Sequence, residues 1–419
     1  MKFENVVKLL TARELIRQAE AALSAVYNAR EEIAYQNQVR VIEAFKEYRV
    51  REHHFYPSTG YGYSDAGRDN LEQIYARLFG GEDALVRTQI VSGTHAISAS
   101  LFGILGPGDQ LISISGSPYD TLARIIGQGG ETQGSLTEKG ISYSEVVMDA
   151  QGNPDLPAIA EAINTKTKMV MIQRSRGYSL RQAIGIDTLK AMIKAVKDKN
   201  SETIVFVDNC YGEFTDVQEP GHCGADLLAG SLIKNPGGGL APSGGYIVGK
   251  KDLVQQVAYH VTAPGLGKEL GSSTFDKRYL YQGLFMAPHI VLQALKGAIL
   301  LAYVFAQHGY KVWPRWDEAR ADIVQAVQLN NADEVLQFCQ EVQSNSPVDS
   351  DVTLEYAGLP GYSHKIVMAA GTFVQGSSIE LSGDAPMRSP YAVYLQGGLT
   401  YEHCRYVLER LVDRFITRQ

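Results

Sequence analysis

Two segments of this 419-residue chain carry side chains suited to covalent and acid–base chemistry. The first is Asp208-Asn209-Cys210-Tyr211, which follows the apolar run TIVFV. An acid at the carboxyl end of a buried strand faces the crevice where open α/β sheets hold ligands. A carboxylate there is costly to desolvate and needs a positive partner. A protonated ring nitrogen would serve, because at about 3 Å and an effective dielectric near 20 the attraction is on the order of 5 kcal/mol. The second segment is Ser231-Leu232-Ile233-Lys234-Asn235-Pro236, which runs into Gly237-Gly238-Gly239. Proline and the glycine run place Lys234 in a turn rather than on a solvated helix face. A buried lysine loses its charge readily, which suits imine formation with an aldehyde. Ser231 can donate to a phosphate. The glycine run lacks G-x-x-x-x-G-K-[ST], so it does not read as a nucleotide-binding loop.

Two further segments add an anion site and a flat ring. Ser92-Gly93-Thr94-His95-Ala96 opens the apolar helix ISASLFGIL. Free N–H groups and the helix dipole favour an anion at such a start, and the hydroxyls of Thr94 and Ser92 add donors. Tyr119, in SGSPYDTL after QLISIS, could stack on a planar ligand. Each segment alone also has an ordinary reading: a turn or capping aspartate, an exposed turn lysine, a capped helix, or one packed tyrosine among 23. Together they follow the order anion turn, aromatic, strand-end acid and lysine turn, with Lys234 26 residues after Asp208.

The elements that must position these groups alternate. QLISIS (110–115), KMVMIQ (168–173), TIVFVD (203–208) and GGYIVG (244–249) read as buried, largely parallel strands. The segments between them have helical periodicity, as in IDTLKAMIKAVKD, which predicts an α/β domain with helices on both faces of the sheet. Ahead of it, residues from Thr11 to Val50 read as helix, opened by a capping box at Thr11-x-x-Glu14. A Gly/Ser/Tyr-rich loop follows, then a short helix over Asn70–Phe79 that ends at Gly80-Gly81. After Gly283 the pattern predicts a long helix through HIVLQALKGAILLAYVFAQHG. Helices near 319–344, strands at KIVMAA and SSIELS, and a final helix from Tyr401 follow. This gives a helical arm over 1–60, a large domain over 61–285 and a small domain over 286–419.

Composition limits the partners. A net charge of −7 gives no basic field for nucleic acid. No apolar run in the sequence reaches the roughly 20 residues of a membrane helix. The N-terminal MKFENVVKLLTARE lacks a long apolar stretch and a small-residue cleavage site, so no secretion signal is expected and the reading is cytoplasmic. The four cysteines form no C-x-x-C pair or zinc-like Cys/His spacing, and no cluster of hard oxygen ligands suggests a metal.

Taken together, the chain resembles the fold-type I enzymes that use pyridoxal 5′-phosphate (PLP), and within them the cystathionine and methionine lyase group. It is most similar to the bacterial aluminium resistance, or methionine γ-lyase-like, proteins. The segments that carry the likeness are YGYSDAGRDNLEQIYARLFGGEDALVRTQIVSGTHA, QRSRGYS, VDNCYGEF, SLIKNPGGGLAPSGGYIVG and RSPYAVYLQGG. The resemblance implies a large domain with a mostly parallel sheet and a smaller α+β C-terminal domain. It implies that Lys234 carries the cofactor as an imine and shuttles protons, and that Asp208 holds the pyridine nitrogen protonated. Ser92, Gly93, Thr94 and Ser231 would cradle the phosphate, with His95 beside them, and Tyr119 would stack on the ring. Tyr61, Tyr63 and Arg68 occupy the region that reaches a neighbouring subunit's phosphate in the lyase group, without that group's Y-x-R-x-x-N-P-T pattern. Ser175 and Arg176 follow a strand where the family contacts cofactor or substrate. Arg388 is the nearest counterpart of the late-strand arginine that binds the substrate carboxylate. The expected activity is carbon–sulfur lysis of a sulfur amino acid in a homodimer or homotetramer with its site at the subunit interface. Aminotransferase or aldolase chemistry, or a non-catalytic PLP-binding regulator, are the alternatives.

Overall fold

The computed structural model describes residues 11–128, 133–149, 152–358 and 364–417. The apolar runs become strands of a seven-stranded sheet: β1 (Asp83–Arg87), β2 (Gln110–Ser113), β3 (Ser142–Glu145), β4 (Thr167–Gln173), β5 (Ile204–Asp208), β6 (Leu227–Ser231) and β7 (Gly245–Gly249). Their spatial order is β1-β7-β6-β5-β4-β2-β3. Strands β2 to β6 run parallel. Strand β7 is antiparallel to both β6 and β1, so GGYIVG is the reversed strand of this sheet. The segment from β6 to β7 holds the Lys234 turn and no crossover helix of the kind a parallel neighbour requires.

Side chains alternate across a strand, so runs that are apolar at every position suit a sheet covered on both faces. On β4 and β5, Val170, Ile172, Val205 and Val207 enter one core, while Met169, Met171, Ile204 and Phe206 enter the other. The helices are α1 (Ala12–Ala22), α2 (Ser24–Glu47), α3 (Ala66–Phe79), α4 (Gly93–Ile104), α5 (Asp120–Ile126), α6 (Leu156–Ala162), α7 (Ile186–Lys199), α8 (Lys251–Val261), α9 (Arg278–Gln307), α10 (Ala332–Ser344) and α11 (Tyr401–Val412). Residues of α3, α7 and α9 fill the first core, and those of α4 and α8 fill the second.

A second, five-stranded sheet is antiparallel throughout. It contains β8 (Lys311–Trp313), β9 (Gln325–Gln328), β10 (Ile366–Ala369), β11 (Ser382–Pro386) and β12 (Ala392–Gln396), in the order β10-β11-β12-β9-β8. Here the sequence reading needs correction. The expected helix from 319 begins only at Ala332, where Asn331 caps it by accepting from the Glu334 N–H, and 325–328 pair as β9 instead. Of the expected strand at SSIELS (377–382) only Ser382 belongs to β11. The Glu380 carboxylate accepts the N–H groups of Phe373 and Val374, holding the segment in a turn rather than a ladder.

The capping box forms as expected: the Thr11 N–H donates to Glu14 (2.9 Å) and the Glu14 N–H to Thr11 Oγ1 (3.3 Å). The single helix expected over 11–50 breaks at Leu23 into α1 and α2. Helix α3 begins four residues before Asn70, capped by Asp65, and ends at Gly80 in the left-handed conformation (φ 77°). Helix α9 places Leu280 and Leu284 in the large-sheet core and Leu301 and Phe305 in the small-sheet core, so residue 285 lies inside one continuous helix. Among the described residues α9 is the one helix long and apolar enough to cross a membrane, and 67% of its apolar stretch is buried inside the protein. Residues 1–10, which carry most of the N-terminal segment read for a signal, lie outside the described residues.

Candidate active site

Because β2, β4, β5 and β6 are parallel, their carboxyl ends share one edge of the sheet. The side chains that follow them meet at a cavity of about 290 Å³. Ser92, Gly93, Thr94, Tyr119, Ser175, Asp208, Ser231 and Lys234 all line it. His95, Arg176, Arg388, Tyr61 and Tyr63 do not.

The start of helix α4 supplies the end of this cavity lined by Ser92, Gly93 and Thr94. Ser92 Oγ accepts the His95 N–H at 3.0 Å, and the first-turn N–H groups of Gly93 and Thr94 have no carbonyl one turn back to serve them. A Cβ on Gly93 would lie 3.0 Å from Ser231 Cβ and 3.3 Å from Cys210 Sγ, so the α4 start and the β6 end approach as closely as glycine allows. Tyr119 caps α5. Its N–H donates to Gln173 Oε1 (3.3 Å), and its hydroxyl pairs with Thr94. Burial holds that phenol well above its usual range, so it stays protonated.

Asp208 ends β5 and is 4% exposed. The Cys210 N–H donates to Oδ1 at 3.1 Å. Burial pushes this carboxyl up, against the opposing pull of Lys234 and the Cys210 donors. Lys234 Nζ sits 3.9 Å from the centre of the Tyr211 ring. Burial favours its neutral amine, but Cys210, Tyr211 and Asp208 outweigh that and hold the amine well above its ordinary value. Asn235 ties the two loops together, its Nδ2 donating to Tyr211 O (3.0 Å) and Glu213 O (2.9 Å). Tyr211 pays for its place with φ 70°, a strained conformation of the kind found at ligand sites.

The remaining expected residues have other positions. His95 Nδ1 accepts the Val91 N–H (3.1 Å). Arg176 is fully buried, with Nε 3.7 Å from Asp322. Ser175 reaches the cavity wall while its Oγ donates to Asp322 at 2.9 Å. Arg388 is exposed and donates to Tyr178 O (3.4 Å) at the rim. Tyr61 and Tyr63 are exposed and lie against each other, with ring centres 5.4 Å apart. Arg68 is spent inside its own chain, on Asp69 (2.8 Å), Gly62 O (2.8 Å) and Gly271 O (3.2 Å).

The far wall comes from the small sheet, and the sequence reading missed it. Val324, Asp384, Tyr394 and Gln396 line it, next to Tyr178. Of these only Tyr394 and Gln396 carry a sequence signal, since they belong to an apolar run after Arg388.

A lysine and a carboxylate held at the strand ends of an α/β sheet, beside a helix start, define an enzyme cavity. The sequence model of the methionine gamma-lyase family matches residues 12–416, and the chain belongs to that family. It is 50% identical to a Listeria monocytogenes protein of known structure, described as a candidate cystathionine beta-lyase involved in aluminum resistance. That likeness covers 96% of this chain and 100% of the other, with a TM-score of 0.94. A Clostridium novyi structure named as a carbon-sulfur lyase involved in aluminum resistance is 45% identical, over 97% of this chain and 96% of that one, with a TM-score of 0.92. The uncharacterized Bacillus subtilis protein YnbB is 49% identical over 98% of this chain and 99% of its own length.

Proposed function

We propose that the chain is a PLP-dependent carbon–sulfur lyase of fold type I, acting on a sulfur-containing amino acid. The observation that carries this reading is the meeting of Lys234, Asp208, Tyr119 and the Ser92–Thr94 turn at one cavity. The donor set suits each part of the cofactor. The α4 start, with the hydroxyls of Ser92, Thr94 and Ser231, suits a phosphate dianion. Gly93 keeps that turn open where a Cβ would crowd Ser231. Asp208, desolvated and one of two carboxylates in the cavity, suits a cationic ring nitrogen. Tyr119 offers a flat face, and Lys234 Nζ would hold the aldehyde carbon.

When bound, the cofactor supplies an electron sink for charge formed at the substrate Cα. The protein's own groups do the rest. Lys234 is placed to take and return the Cα proton. Tyr119, kept protonated by burial and steadied by Thr94, can donate to the departing sulfur. Arg388 at the rim is the cation proposed for the substrate's α-carboxylate. The exposed pair Tyr61 and Tyr63 is proposed to complete a neighbouring subunit's site in a homodimer or homotetramer. A thiol, a keto acid and ammonia would be the products.

The test is an absorbance spectrum of the purified protein followed by a substrate screen. A band near the visible edge should be present in the wild type and absent from Lys234→Ala. Cystathionine, cysteine, homocysteine and methionine should then be compared for keto-acid and thiol release. A band that survives in the variant, or amino-group transfer to an added keto acid without thiol release, would overturn the reading.

A further inference from the structure

In the proposed reaction Lys234 alternates between amine and ammonium as it moves a proton, and a charged lysine in a buried wall needs something to face. Asp208 is taken by the ring nitrogen in that reading. The structure sets an aromatic face beside the lysine. Lys234 Nζ lies 3.9 Å from the centre of the Tyr211 ring, and both residues line the cavity. A ring face attracts a cation through its quadrupole, most strongly where water is excluded. Unlike a carboxylate, that face has no lone pair to take the proton. Burial holds the Tyr211 phenol above its usual range, so the ring stays neutral.

The backbone is bent to put the ring there. Tyr211 has φ 70°, in the left-handed region that bulky side chains seldom adopt. Glycine would enter the same turn without strain, yet an aromatic residue occupies it. Asn235, the residue after Lys234, donates from Nδ2 to Tyr211 O (3.0 Å) and Glu213 O (2.9 Å). One side chain thus fixes the lysine turn and the aromatic turn to each other. On the other side of Lys234, Ile233 O accepts from Ser377 Oγ at 3.0 Å. The lysine is tethered through both its neighbours, and its amine comes to rest on the ring.

We propose that Tyr211 is a positioning residue whose ring face seats the Lys234 ammonium between proton transfers. The seat holds the charge without an ion pair, so the proton remains on Lys234 and can be returned. The inference rests on Lys234 being the proton carrier and adds a role for a residue that the proposed reaction leaves unused. The ionisable groups around Lys234 are Asp208, Cys210, Tyr119 and Tyr211, with Glu213 and Asp384 farther off. Burial keeps Cys210 and Tyr119 protonated. All of these except Tyr211 are common to the variants below, so a difference between variants reports on the ring.

The test compares the full chain with Tyr211→Phe, which keeps the face, and Tyr211→Leu, which removes it. Lys234 is labelled with acetic anhydride over a range of pH in protein freed of PLP by hydroxylamine, and the modified peptide is quantified by mass spectrometry. Only the neutral amine reacts, so the profile reports where Lys234 loses its proton. Tyr211→Leu should move that profile to lower pH by about one unit, and Tyr211→Phe should leave it near the wild-type position. In holoenzyme, Tyr211→Leu should lose roughly tenfold in kcat with KM nearly unchanged, and Tyr211→Phe should keep most of the rate. An unmoved profile in Tyr211→Leu overturns the proposal. An equal shift in both variants also overturns it, because the hydroxyl and not the ring would then be responsible. The labelling needs neither PLP nor turnover, so it decides the proposal even where the lyase reading fails for want of keto-acid release. Should Tyr211→Leu not fold, phenylalanines with an increasing number of ring fluorines at position 211 keep the shape and weaken the face. The profile should then step to lower pH with each fluorine, and a profile without steps overturns the proposal.

Discussion

The two walls of the cavity are built by different means. The large-sheet wall takes Asp208, Ser231, Lys234, Tyr119 and Ser92–Thr94 from strand ends and from the turns that follow them. The small-sheet wall takes Asp384, Tyr394 and Gln396 from within paired strands. At a strand end the backbone leaves the ladder, so glycine, proline and capping residues mark the place. Inside a strand, only the register decides whether a polar side chain meets the cavity or the solvent. In the proposed reaction the first wall provides chemistry common to any amino acid the site accepts, and the second closes the cavity opposite it.

If that division holds, substitutions in the first wall should lower kcat for every substrate. Lys234→Ala should show the largest effect, a loss of roughly 10³-fold or more in turnover with all substrates tested. Asp208→Asn removes the charge that would hold the ring nitrogen protonated and should cost about 10²–10³-fold in kcat, read in the same steady-state assay. A loss confined to one substrate in either variant would break the comparison.

A smaller effect tests the support behind the first wall. Glu213 is fully buried, accepts from Tyr246 Oη at 2.8 Å and is pushed up to about 8 by burial. Between the ordinary glutamate value and about 8 the folded chain binds the extra proton, so stability falls as pH rises, by at most ~1.4 kcal/mol per unit. Glu213→Gln should flatten that slope, measured by denaturant unfolding at several pH values. An unchanged slope would place the titration elsewhere.

How far the sequence could be read follows the same division. Asp208, Lys234, Tyr119 and the 92–94 turn were legible because each sits where a hydrophobic run meets turn chemistry, and the parallel sheet then brings those ends to one edge. His95 was named from the same motif, but its ring turns back to the Val91 N–H. Arg176 was named because it follows a strand where the family contacts its ligands, and Arg388 as the nearest counterpart of the late-strand arginine. Burial beside Asp322 and exposure at the rim, respectively, depend on contacts between distant segments. Asp384 was passed over because Ser-Gly-Asp-Ala-Pro has the composition of a loop, and its pairing opposite Tyr394 is a long-range fact. The strands of the large sheet were read from continuous apolar runs. The reversed direction of β7 could not be, since both faces of a buried strand look alike in either direction.

The most direct measurement is borohydride reduction of the protein after PLP is added, followed by peptide mapping by mass spectrometry. The account predicts one pyridoxyl-modified peptide, modified at Lys234 and absent from Lys234→Ala. A stable adduct on another lysine, or none on wild-type protein at saturating PLP, would contradict it.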